Sequence, residues 1–288
     1  MANMREIHAQ IKSVKNTQQI TKAMKMVAAA KLRRTEGGMA GIRTFAGQSR
    51  KILSDLLSGE TAGYTNRFLA PRKEVRRVCY VLFVGSRGLC GIYNHAVLRY
   101  AEELLAQETR PYMLVVCGRW GRDVIAHAGL TASRTFDELS DTPTLEEALA
   151  LSEYLKQLYL NEEADEIHLI YQHFHSALQQ TPTTTRLLPA EPESAEGPIS
   201  DYLFEPDAES VLENIMQLYL DNTVFSVLLE AKVGEHAARM TAMSTATDAT
   251  TELIDDLSLE LNSLRQAAIT TEIAEIVGGA NALNQSNQ

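Results

Sequence analysis

"NTQQITKAMKMVAAAKLRR", residues 16–34, contains neither proline nor glycine, and every charge in it is positive. On a helical wheel Ile20, Ala23, Met24 and Val27 form one stripe while Lys22 and Lys25 lie on the other side, so the stretch reads as an amphipathic helix with a basic face. Upstream, Ile7, Ile11 and Val14 define a different stripe, and their heptad continues through the polar Gln18 and Thr21. The buried face is therefore expected to shift near Thr17, which argues against a uniform zipper.

The helix extends well beyond this stretch. All eight prolines lie between Pro71 and Pro206, which leaves the first 70 and the last 82 residues free of the strongest helix breaker. Asn3 followed by Glu6 reads as an N-terminal cap with its reciprocal carboxylate, and Leu56-Leu57-Ser58-Gly59 as a glycine-closed end, giving one long helix over 1–58. Gly37, Gly38, Gly41 and Gly47 each cost about 1 kcal/mol relative to Ala, so this helix needs a partner along its length. Between Ser210 and Val277 the only glycine is Gly234, and Leu253, Leu257, Leu261, Leu264 and Ala268 recur at threes and fours, which predicts a second long helix over 210–288. Two such helices bury their stripes most simply as an antiparallel coiled coil; a bundle of shorter helices is the competing arrangement.

The whole chain is acidic, with 27 Lys+Arg against 37 Asp+Glu, which argues against general nucleic-acid binding. The basic stretch thus needs a local counterpart. Residues 245–277 carry Asp248, Glu252, Asp255, Asp256, Glu260, Glu272 and Glu275 against Arg265 alone, so antiparallel pairing is expected to neutralise part of the basic face and leave the rest for an acidic partner. The final "VGGANALNQSNQ", 277–288, is uncharged and reads either as a frayed end or as a helix tip sheathed by other subunits. Cys79, Cys90 and Cys117 fit neither a disulfide framework nor a zinc cluster, which suits a reducing compartment. No apolar run approaches the roughly 18–20 residues of a spanning helix, and the start lacks a signal peptide's apolar core, so a soluble chain is expected.

The middle alternates. "VRRVCYVLFV" (75–84), "YMLVVCG" (112–118) and "EIHLIYQHF" (166–174) read as strands. "NHAVLRYAEELLAQ" (94–107) reads as a helix opened by Asn94, "WGRDVIAHAG" as a short helix, and "TLEEALALSEYLKQLYL" (144–160) as a helix with Thr144 and Glu147 in a capping box. That order implies a mainly parallel, Rossmann-like sheet covered on both faces. "ALQQTPTTTRLL" (177–188) then reads as an antiparallel edge strand, which places an α/β domain at 75–188 and a proline-rich connector at 189–209.

The turn "GSRGLCGIYN", with Gly85, Gly88 and Gly91, precedes a helix where open sheets bind nucleotides. It lacks the Gly-x-Gly-x-x-Gly spacing, the chain has no Gly-Lys-Ser/Thr, and the second strand ends at Cys117-Gly118-Arg119 without a ribose-binding acid, so a tight packing turn is the better reading. His173 and His175 alternate on one strand face like two metal ligands, with no third ligand at a usual spacing, and read as edge-strand polar residues. Cys90 has no suitably placed histidine and reads as a structural thiol. Catalytic, cofactor-binding and metal sites are all expected to be absent. An α/β enzyme with helical extensions and a basic membrane-surface helix remain the rival functions.

"IKSVKNTQQITKAMKMVAAAKLRR" near the start, "RGLCG" at 87–91, and "EHAARMTAMSTATDAT" with "RQAAITTEIAEIVGGANAL" near the end make the chain resemble the gamma subunit of F-type ATP synthases over nearly its whole length. The resemblance implies a rotor shaft standing inside a ring of alpha and beta subunits, with the α/β domain as a foot on the c-ring beside epsilon. It implies MgATP and MgADP on the alpha and beta subunits and no cofactor on this chain. It places Met24 and Lys25 opposite an acidic beta loop, Glu235 and Arg239 in the region that works with them, and Arg265, Gln266, Thr270, Thr271 and Glu272 at a higher beta contact. Arg87, Gly88 and Gly91 fall in the foot turn. The chain departs from the family at Gly85-Ser86, where a Ser/Thr-Asp pair is usual, at Ile92 and at Leu261. Without a transit peptide or the chloroplast dithiol segment, a bacterial complex at the cytoplasmic face of its membrane is expected.

Overall fold

The computed structural model describes residues 2–58, 66–191, 205 and 207–286. The Asn3 and Ser58 side chains and Gly59, on which the expected caps of the first helix rest, lie outside the described residues, as do 192–204 and 206 of the connector. The elements are α1 (Ala2–Ser58), β1 (Val78–Phe83), α2 (Tyr93–Gln107), β2 (Tyr112–Cys117), α3 (Arg119–Ile125), β3 (Arg134–Phe136), α4 (Leu145–Leu160), β4 (Glu166–Phe174), β5 (Gln180–Leu188) and α5 (Ala208–Ser286). They form two compact units, one of residues 1–26 with 242–288 and one of residues 27–241.

In the first unit the two helices run antiparallel. Gln18 Nε2 donates to Thr251 Oγ1 at 2.7 Å, the Thr21 and Thr247 hydroxyls meet at 2.9 Å, and Lys25 Nζ donates to Ser244 Oγ at 2.9 Å. Buried Ile7 and Ile11, half-buried Val14 and Gln18, buried Thr21 and half-buried Lys25 lie on one face, spaced by threes and fours. The expected shift near Thr17 does not occur. The heptad runs on through its polar members, while Ile20 (59% exposed), Ala23 and Val27 (54%) point outward and Met24 is half-buried. Between Gln18 and Lys25 small hydroxylated side chains let the helices approach closely and satisfy one another, so this part of the seam needs no larger apolar side chains. On α5 half-buried Ile254, Leu257, Leu261, Leu264 and Ala268 continue the seam; Leu253 faces out because Ile254 holds the heptad position. The acids of 245–277 do not pair with α1: among the described residues no ion pair joins them, because they all lie on outward faces, away from the seam.

The second unit is the α/β body with the remaining stretches of α1 and α5. Its five strands lie in the order β3-β2-β1-β4-β5, parallel except for the antiparallel edge strand β5, which tolerates Pro182. β1 is buried along its whole length, as a strand covered on both faces must be. On one face Tyr80, Leu82, Leu114 and Val116 pack with Val97, Ala101 and Leu105 of α2 and Ile125 of α3. On the other, Val81, Phe83, Val115 and Leu169 pack with Leu151 and Leu155 of α4, Leu53 and Leu56 of α1, and Leu212, Met216, Leu220 and Leu228 of α5. Leu32 and Met39 of α1 meet Val233 and Ala237 of α5 in a smaller cluster. The Thr144–Glu147 capping box opens α4 as expected. Asn94 does not open α2, whose first residue is Tyr93; its buried amide instead accepts from Gly85 N at 2.8 Å and donates to Arg87 O at 3.3 Å, tying the turn together.

Candidate functional site

The crevice at the carboxyl ends of β1 and β4 is the topological switch point of the sheet, the place where ligands enter open α/β folds. Here α5 fills it. Tyr93 Oη donates to Ala231 O at 2.6 Å, Gln180 Nε2 to Gly234 O at 3.2 Å, and Phe174 N to Glu230 Oε1 at 2.9 Å. The approach is so close that a Cβ on Gly234 would stand 2.9 Å from both Gln180 Oε1 and Tyr93 Cε2. One glycine in an otherwise glycine-free run of α5 is the residue that seats the helix there.

One helical turn on, α5 grips the β1–α2 turn. Glu235, 1% exposed, receives Lys232 Nζ at 2.9 Å and the Arg239 guanidinium at 2.8 Å on its two oxygens. Lys232 also donates to Ser86 Oγ at 2.9 Å, and Arg239 donates to the Arg87 and Gly88 carbonyls, each at 3.1 Å. Burial acts to raise the Glu235 carboxyl, but the Lys232 and Arg239 cations outweigh it and hold the group below the ordinary carboxylate range. A Cβ on Gly85 would meet Asn94 Oδ1 at 2.8 Å and Glu235 Cδ at 3.0 Å, so a larger residue there would have to displace those two side chains. Glu235 is thus the carboxylate that Lys232 reaches, with Ser86 supplying a hydroxyl beside it.

The foot-turn residues are thus brought together with Glu235 and Arg239, while Met24 and Lys25 lie in the first unit. Arg87 is exposed, Gly88 contributes its carbonyl, Gly91 ends the turn at φ 58°, and Ile92 is exposed. Arg265, Gln266, Thr270, Thr271 and Glu272 are exposed on α5, with the Thr270 and Thr271 hydroxyls donating to Gln266 O and Ala267 O of their own helix. Beyond Ala268 the helix presents Ile269, Ile273, Ile276 and Val277 unburied. The sequence does not mark Lys232 or His236 as functional, although a cation beside Glu230 in the otherwise largely apolar stretch 224–233 is the signal for Lys232.

His173 Nδ1 contacts Glu230 Oε1 at 2.8 Å, and no group of three or more potential ligands gathers among the described residues. β4 is internal rather than an edge, so His173 lies at its end, next to α5. Cys90 is buried, and burial raises its thiol despite Arg239 nearby, as expected of a structural cysteine. Among the described residues no helix is long and apolar enough to cross a membrane.

The family model described as ATP synthase matches residues 3–283. An ATP synthase gamma chain of Moorella thermoacetica is 42% identical over 283 residues, covering 98% of this chain and 100% of that one. One of Staphylococcus aureus is 39% identical over 289 residues, with the same coverage of 98% and 100%. In fold the chain is similar to the rotor of the Euglena gracilis mitochondrial ATP synthase, with a TM-score of 0.65 at 21% identity over 93% of this chain and 99% of that one. The central stalk of the Tetrahymena thermophila mitochondrial enzyme gives a TM-score of 0.56 at 23% identity, over 79% of this chain and 99% of that one. The chain therefore belongs to the ATP synthase gamma-chain family, whose members are the central-stalk rotor of the complex.

Proposed function

We propose that this chain couples ion flow to ATP synthesis or hydrolysis by turning as a shaft, with 1–58 and 210–288 as its helices, 75–188 as a foot on the c-ring beside epsilon, and the connector between. The observation that carries this reading is the outward set of Ile20, Val27 and the exposed lysines of α1: apolar and basic side chains that the chain's own seam leaves unused. An alpha–beta ring with an acidic loop supplies the missing surface, and Met24 and Lys25 stand at the border of seam and outward face. Arg265, Gln266, Thr270, Thr271 and Glu272, followed by the exposed apolar tip, are the second contact. Glu235 and Arg239 act from inside, by fixing the foot turn.

Such a shaft does no chemistry of its own. It stabilises the conformations of the catalytic subunits unequally as it turns, and that difference is the coupling. The occupied switch-point crevice supports a chain that binds no nucleotide, with MgATP held by alpha and beta at the cytoplasmic face of a bacterial membrane. Co-expression with matching alpha and beta subunits tests this: a ring assembled around one copy should hydrolyse MgATP only when this chain is present. A chain that stays apart and binds ATP or NAD alone would make it an α/β enzyme instead.

A further inference from the structure

Asp141 lies in the β3–α4 loop, where no sequence motif marks it. Its carboxylate accepts from Lys31 Nζ of α1 at 2.5 Å, and the Arg87 guanidinium stands 4.0 Å from the same oxygen. Its main-chain carbonyl contacts His236 Nε2 of α5 at 2.7 Å. One loop residue thus holds both long helices, α1 through its side chain and α5 through its backbone. A carbonyl only accepts, so His236 carries its hydrogen on Nε2, and its buried Nδ1 has no partner. The imidazole is spent on this single bond.

The loop itself is stiff. Glu147, the capping-box residue of α4, accepts from Ser140 N and from Ser140 Oγ, each at 2.8 Å, immediately before Asp141. A rigid loop built on the sheet and on α4 therefore reaches the two helices at points 205 residues apart in sequence, Lys31 and His236. Among the described residues of the basic stretch, Lys31 is paired with a carboxylate of its own chain, unlike the outward Lys22.

We infer that Asp141 is a positioning residue of the rotor: it locks the α/β body to both long helices, so that torsion applied to the body reaches them without slack. The inference goes beyond the rotor role and rests on it. With the head of the assembled complex fixed and a probe on the c-ring, the angular spread of the probe at a catalytic pause reports torsional stiffness. Lys31→Ala should broaden that spread by removing the side-chain grip, and His236→Ala should broaden it by removing the backbone grip. His236→Gln, which keeps a donor at the Nε2 position, should leave it near the unmodified width, and the exchanged pair Lys31→Asp with Asp141→Lys should narrow it again relative to Lys31→Ala.

A spread unchanged in both Lys31→Ala and His236→Ala, in complexes that still rotate, overturns the inference. Where His236→Ala does not assemble, Lys31→Ala and the exchanged pair decide. Rotating complexes that lack this chain would instead overturn the rotor reading and leave the lock without a subject.

Discussion

The hydroxyls of Thr21 and Thr247 lie 2.9 Å apart on the seam between α1 and α5, and each is also within bonding distance of a carbonyl of its own helix, Gln18 O at 3.0 Å and Met243 O at 2.7 Å. A coiled coil that places threonine opposite threonine gains proximity and hydrogen bonding where a leucine zipper gains area. It also frees larger apolar side chains for the outside.

Replacing Thr21 by Val should cost about 1 kcal/mol, because the Thr247 hydroxyl loses its partner across the seam. The double change with Thr247→Val should cost less than the two single changes added together. Urea unfolding of the four chains measures this, and strictly additive costs would show that the contact contributes nothing.

Ile20 and Val27 make the opposite case. Their exposure predicts that Ile20→Lys or Val27→Gln changes the stability of the chain alone by less than about 0.5 kcal/mol. Assembly with alpha and beta subunits should nevertheless weaken, since these side chains have no other surface to meet. Calorimetry of the free chain beside a pull-down of the ring separates the two effects; a large loss in the free chain would return these residues to the core.

Glu235→Gln should be among the most damaging single changes, of the order of 3 kcal/mol, because it leaves buried Lys232 without its carboxylate. The sign with pH follows. A carboxyl held below its ordinary value adds stability above the ordinary carboxylate pH and loses it as the pH falls through the folded value. Acid unfolding of the unmodified chain should therefore be steeper below about pH 4 than that of Glu235→Gln.

His236 titrates in a different window. Burial, with Lys232 and Arg239 beside it, lowers its pKa against the opposing effects of the Asp141 carbonyl and Glu235, so the ring is neutral in the fold. A base whose folded pKa is depressed contributes stability above its unfolded value of about 6.5 and loses it as the pH falls toward the folded one. His236→Gln should flatten that part of the stability–pH curve while the carboxylate limb below it remains. An identical slope for both chains would contradict the assignment.

Much of this was legible in the sequence. The proline-free ends, the strand–helix alternation of the middle and the Thr144–Glu147 box are local signals, and the elements follow them. The face of α1 is the exception, because apolar size does not mark burial there. Ile20 and Val27 outrank Thr21 in hydropathy, yet the three-four spacing that begins at Ile7 and Ile11 carries Thr21 inward. Periodicity was the better guide than the individual side chain. Asp141 and His236 were invisible for another reason: they meet only after the sheet has brought a loop to α5, and nothing near either residue in sequence announces the other.

The central claim is that this chain turns inside the catalytic ring. The most direct measurement fixes the alpha–beta head of the assembled complex to a surface, attaches a probe to Arg87→Cys on the exposed turn, and follows its angle while MgATP is hydrolysed. The account predicts unidirectional rotation in three steps per turn, one for each catalytic site. A probe that stays fixed while the complex hydrolyses ATP would contradict it.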